Sequence, residues 1–277
     1  MKWLAAIVGA AVLAGTAAAA TSPAAGSAAF LASRQSASGG FAEQGRAPDG
    51  PLTAWAALGL VAAGGFAAER ARALGFLRSS TADISTDADL ALRVVALAAL
   101  GETVDEGLLA RLRRHRPGVL VNETIWAVLA LRAVGEQPPP ALARAILGAQ
   151  AKGGGFPWSR GGSPDSNDTA AAIQALRAAG VGGAPVRRAV AALRAFQNPD
   201  GGFSLTKGRE SDAQSTAWAI QALVSAGEAP GKAPFRYLAR LRRTDGSYRY
   251  SLRYGSTPVW VTAQVVPALA GKPFPLR

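Results

Sequence analysis

One phrase, written six times, constrains this chain more than any other feature. Thr-Ala-x-Ala-x-x-Ala-Leu runs from Thr169 to Leu176 and, with one change, from Thr216 to Leu223. Looser copies begin at Thr53, Leu90, Thr124 and Thr262, so successive copies are separated by 37, 34, 45, 47 and 46 residues. Self-similarity at that period marks a stack of identical supersecondary units, none of which can bury its apolar face alone. Within a copy, Thr169, Ala172, Ile173 and Leu176 recur at helical spacing and form one mostly apolar stripe, with Ala filling much of the remaining circumference. The segment before each copy is more amphipathic, as in Val186, Val190, Leu193 and Phe196 set against Arg187, Arg188 and Arg194. Each unit is therefore an outer helix followed by a small-residue inner helix. With no distinctly polar capping helix at either end, six such pairs predict an all-α, closed α/α toroid of about twelve helices, not an open solenoid.

A second phrase precedes the first: an apolar residue, then Gln, Gly and an aromatic at fixed spacing. It occurs as Leu31, Gln35, Gly39, Phe41; as Ile146, Gln150, Gly154, Phe156; as Leu193, Gln197, Gly201, Phe203; and as Leu238, Arg242, Gly246, Tyr248. The other two units carry Ile84 and Leu120 at the aromatic position, and their connectors shrink from 12–14 residues to 6 and 4. Their short spacing thus reflects loop deletion and not a missing helix.

The phrase resembles the glutamine-aromatic repeat of terpene cyclases of the squalene-hopene and oxidosqualene type, with Phe or Tyr for Trp. The resemblance covers residues 25–271 and implies an α/α barrel in which the Gln ties an outer helix end to the next unit and the aromatic packs on it. In squalene-hopene and class II diterpene cyclases the acid is the middle carboxylate of an Asp-x-Asp-Asp-Thr-Ala motif. The corresponding run here is Asp165-Ser166-Asn167-Asp168-Thr169-Ala170. Asn167 stands at the proton-donor position, and an amide is no Brønsted acid. The next unit gives only the weaker echo Asp212-Ala213-Gln214-Ser215-Thr216-Ala217. The chain also offers one barrel where squalene-hopene-type cyclases combine two. The zinc site of the related protein prenyltransferases needs Cys, and this sequence has none. One His, His115, leaves neither a multi-histidine metal site nor much scope for a triad, so no metal or other cofactor is expected. His115 itself, in a run of Arg, reads as a surface residue at a helix end.

Residues 1–20 read as a cleaved signal peptide: Lys2, an apolar run from Trp3 to Gly15, and small residues through Ala20. Residues 21–277 then form the single toroid domain, secreted or held in the cell envelope, monomeric, with no membrane span. The net charge of +12 is carried by 25 Arg and only five Lys, clustered at helix ends where cations offset the C-terminal dipole, so nucleic acid is not the expected partner.

Asp165, Asp168, Asp212, Glu123, Asp87 and Asp89 all sit at inner-helix starts. Capping alone accounts for such carboxylates, while their convergence on one rim would also make a polar mouth. Asp165, Asp168 and Asp212 are the catalytic candidates. Trp55, Trp126 and Trp218 share one repeat position, facing either the barrel axis or the interface between helix layers. Trp158 lies on a long loop, and Tyr250 lies in a second aromatic-basic loop. Trp158, Asn167, Trp218 and Tyr250 are the candidate ligand-binding residues, for an apolar or isoprenoid-like small molecule. Two further readings remain open, a reduced cyclase using Asp165 and Asp168 and a surface protein-interaction domain.

Overall fold

The computed structural model describes residues 22–80 and 84–276; the proposed signal peptide lies outside the described residues. Among them, helices alternate between two layers. The outer ones are α1 (Pro23–Ser33), α3 (Ala67–Ser79), α5 (Glu106–Arg113), α7 (Pro140–Leu147), α9 (Ala184–Arg194) and α11 (Lys232–Leu241). The inner ones are α2 (Gly50–Ala63), α4 (Asp87–Ala99), α6 (Val121–Ala133), α8 (Ser166–Ala178), α10 (Ala213–Ser225) and α12 (Pro258–Leu269). Each inner helix packs on the next, and α12 packs on α2, so the ring is closed. α1 fits between α12 and α2 just as α3 fits between α2 and α4. The toroid expected from the repeats is the fold observed, and both short-spaced units keep their two helices.

The two phrases are joined by one recurring hydrogen bond. The backbone N–H of Phe41, Phe156, Phe203 and Tyr248 donates to the hydroxyl of Thr53, Thr169, Thr216 and Thr262, at 2.9 Å in each case. That bond explains why a β-branched hydroxyl residue opens a helix otherwise built from Ala and Leu. Asp49, Asp165 and Asp212 cap the inner helices by accepting from the third backbone N–H. Thr86 and Asp89 form a reciprocal capping box at α4.

The Gln of the second phrase works as the resemblance implied. Gln35 Nε2 donates to the Gly39 carbonyl at 2.9 Å and to Glu69 O, in the first turn of α3, at 2.8 Å. Gln150 repeats both bonds, to Gly154 and to Pro185 in α9, and Gln197 makes the first of them. The glycine that follows is obligatory. Gly39, Gly154, Gly201 and Gly246 all have φ near +90°, and a Cβ would stand 2.3–2.8 Å from a carbonyl oxygen of the next outer helix. For Gly246 that carbonyl is Gly26 O in α1, so the last unit meets the first as Gly39, Gly154 and Gly201 meet their neighbours.

His115 corrects the sequence reading. It does follow the end of α5, but it is buried and not on the surface. Its Nδ1 lies 2.9 Å from Asp87 Oδ2 and its Nε2 lies 3.1 Å from Thr124 Oγ1. The unit containing Thr124 has lost the long connector that supplies a backbone donor elsewhere. There the Thr124 hydroxyl meets the imidazole Nε2 instead, and Asp87 orients the ring.

Candidate functional site

The repeat register stacks the inner-helix side chains in layers along the barrel axis. Two residues after the start of each phrase come Trp55, Leu92, Trp126, Ala171, Trp218 and Gln264, large and smaller side chains alternating around the ring. The alternation lets three indoles meet at the axis. Their centroids are 5.6–6.0 Å apart and their planes are close to perpendicular, the edge-to-face arrangement that aromatic quadrupoles favour. The Trp side chains thus face the barrel axis. Phe274 seals the cluster, 5.6–6.3 Å from all three rings. It belongs to the C-terminal segment, whose backbone is fixed by Phe274 N–H donating to buried Gln174 Oε1 at 2.7 Å.

The indole layer is the floor of a cavity of about 340 Å³ at the N-terminal mouth of the inner ring, in the size range of small-molecule sites. Its rim comes from the layer two residues before each phrase: Asn122, Asn167, Gln214 and Trp260. Loops complete it with Leu205 and Trp158. Trp158 is 54% exposed, yet its backbone is fixed: its carbonyl accepts from Val121 N–H at 2.9 Å and Asn122 N–H at 3.2 Å. A larger open groove of about 860 Å³ runs beside α9, but no carboxylate or indole lines it, so the chemistry points to the smaller cavity.

Asp165 and Asp168 lie side by side in the cavity wall. Asp168 is 6% exposed, and burial foremost, with the Asp165 charge and a hydrogen bond to Asp165 adding to it, pushes its carboxyl up to about 8. Asn122 Nδ2 opposes this by donating to Asp168 Oδ1 at 2.6 Å. Asp165 is also raised by burial, against the backbone bonds it accepts as a cap. At neutral pH the pair therefore retains a proton, held on Asp168. Two carboxyls in mutual hydrogen bond cannot flank a glycosidic bond, which needs them at least about 5 Å apart.

The other candidates lie elsewhere. Asp212 and Tyr250 do not line the cavity; Asp212 caps α10 and accepts from Ser215 Oγ at 2.7 Å, burial raising it to about 6. The Tyr250 hydroxyl pairs with the same carboxyl and is pushed up to about 12, chiefly by burial. Asp87 serves His115, Asp89 its capping box, and Glu123 the first turn of α6. Sequence reasoning missed Asn122, Gln214 and Gln264. All three occupy repeat positions shared with Asn167 or the Trp residues, so aligning the six phrases would have exposed them.

A family model for the prenyltransferase alpha-alpha toroid domain matches residues 6–241. The chain belongs to that family. No curated protein matches its sequence. Among solved structures, a protein from Actinoplanes is 18% identical with a TM-score of 0.63, the alignment covering 90% of this chain and 98% of the other. The type II terpene cyclase MstE from Scytonema, without ligand, is 18% identical with a TM-score of 0.66, over 90% and 96% of the two chains. A variant of MstE was solved with its substrate, geranylgeranyl dihydroxybenzoate. A protein described as a glycosidase is 14% identical with a TM-score of 0.62, over 91% and 97%. At such identities the likeness is one of fold: a terpene-cyclase-like toroid. No described helix of this toroid is long and apolar enough to cross a membrane.

Proposed function

We propose that this toroid is an exported, monomeric protein that binds an apolar, isoprenoid-like small molecule in the mouth of its barrel. The observation that carries the reading is the cage of Trp55, Trp126, Trp218 and Trp260 around one cavity, beside a carboxyl kept neutral. Indole faces and edges suit a branched, unsaturated hydrocarbon, and the proton kept by the buried carboxyl pair reduces the charge that faces the ligand. Binding without cyclisation fits the acid position. Asn167 cannot donate a proton to an alkene, and a carboxyl held near 8 is too weak an acid to protonate carbon readily. The bound isoprenoid in an MstE structure supports the ligand class by analogy of fold.

Titration of the mature protein with farnesol, followed by tryptophan fluorescence, tests this. Saturable quenching is expected, with Trp218→Ala weakening it at least roughly tenfold, as loss of a stacking aromatic does. No signal up to the solubility limit would refute the reading. Export is tested by sequencing the N-terminus of protein recovered outside the cytoplasm, which should begin at Thr21. The proton on Asp168 favours one second reading, general-acid assistance at a ligand oxygen. Product analysis of prenyl substrates with wild type and Asp168→Asn would reveal it as turnover lost in the variant.

A further inference from the structure

Resting on the reading just given, we propose that the ligand carries an uncharged oxygen acceptor, such as a carbonyl, ether or hydroxyl, and that Gln264 is the residue that recognises it. In the floor layer the other five positions hold three Trp, a Leu and an Ala; only the sixth holds an amide. Gln264 is 1% exposed and lines the cavity. Its orientation is fixed by chemistry. The Trp218 indole N–H, a donor and nothing else, lies 2.8 Å from Gln264 Oε1, and Gln214 Nε2 donates to the same oxygen at 3.1 Å. Both lone pairs of Oε1 are thereby used and the amide cannot flip. The Nε2 group is left as a buried donor with no partner among the described residues. A buried donor without a partner is costly and rare, and in a ligand cavity it is the signature of a group waiting for an acceptor.

The charge of that acceptor is constrained as well. Among the described residues no Lys, Arg or His lines the cavity, although the sequence carries 25 Arg. A phosphate or diphosphate would enter a wall containing Asp165 and Asp168 and no cation, an arrangement that repels it. A neutral oxygen on an isoprenoid skeleton satisfies Gln264 Nε2 with no such penalty. Gln264 is thus a specificity-determining residue, held in place by Trp218 and Gln214.

The test is a matched titration of the mature protein with geranylacetone, with the hydrocarbon in which a methylene group replaces its carbonyl oxygen, and with geranyl diphosphate, all read by tryptophan fluorescence. Wild type is expected to bind the ketone roughly tenfold more tightly than the hydrocarbon, the factor given by one net hydrogen bond of about 1.4 kcal/mol, and the diphosphate least. Gln264→Met should remove the preference, the ratio of ketone to hydrocarbon affinity falling to about one. Equal binding of ketone and hydrocarbon by wild type, or a preference that survives in Gln264→Met, overturns the role of Gln264 and leaves isoprenoid binding intact. Tightest binding of the diphosphate overturns the neutral-oxygen assignment. Binding of none of the three overturns isoprenoid binding itself, and this inference with it.

Discussion

Replacing Asp168 by Asn should make the protein lose less stability as the pH rises, although it removes a buried carboxyl from a hydrogen-bonded pair. Burial and Asp165 raise the Asp168 carboxyl from 3.8 to about 8 in the folded protein. Between those values the folded chain keeps a proton that the unfolded chain has released, so unfolding gives up a proton and stability falls as pH increases. Its contribution is fully present below pH 4 and is lost progressively on the way to pH 8. One proton corresponds to roughly 1.4 kcal/mol per pH unit, so raising the pH from 5 to 7 costs about 3 kcal/mol through this group. For a chain of this size that is roughly 6–12 °C in Tm. Asn is nearly isosteric, can still accept from Asn122, can donate to Asp165, and does not titrate. Thermal unfolding followed by circular dichroism at pH 5, 6 and 7 should therefore show a steep decline for wild type and a much flatter one for Asp168→Asn. Asp212 remains in both proteins and Asp165 titrates together with Asp168, so the difference in slope reports the proton shared by the pair. Parallel lines would mean that Asp168 is ionised in the folded state, and the proton retained by the pair would have to be abandoned.

Three further substitutions probe the frame that holds the cavity. Gly154→Ala places a Cβ 2.4 Å from Arg188 O at a φ of +90°, whereas Gly161→Ala at φ +80° meets nothing within 4 Å. Urea unfolding should show a loss of at least roughly 3 kcal/mol for the first and about 1 kcal/mol for the second; equal losses would refute the close approach. His115→Leu should cost about 1–3 kcal/mol in the same assay by leaving the buried Thr124 hydroxyl without the imidazole, and a neutral result would return His115 to the surface. Phe274→Ala should cost about 3–5 kcal/mol and open an apolar void under the indoles that binds benzene; unchanged stability would show that the C-terminal segment does not seal the barrel.

Much of the fold was legible because the repeat is local. The helical stripe of Thr169, Ala172, Ile173 and Leu176 and the fixed offsets of Gln150, Gly154 and Phe156 are properties of short segments. They imposed the same helix pair six times and the same junction four times. The site was legible only in part. Trp218, Asn167, Asp165 and Asp168 stood out as residue types, whereas Asn122 and Gln264 look ordinary until the ring places them against residues of other units, 46 positions away in both cases. Tyr250 and Asp212 looked like cavity residues by composition, yet their side chains satisfy one another instead. His115 was misread because its neighbours in sequence are Arg, while its neighbours in space are Asp87 and Thr124.

Sequence by itself determined the periodic part of this protein: six helix pairs, small inner faces, and a Gly where the next helix comes within reach of a Cβ. Tertiary structure alone decided what stands opposite what. Closing the ring brings three Trp from alternate units edge to face, drives Asp168 out of water beside Asp165, and leaves one side of the Gln264 amide without a partner. Those properties depend on burial and on distances across the barrel axis, and neither is a function of any single stretch of chain.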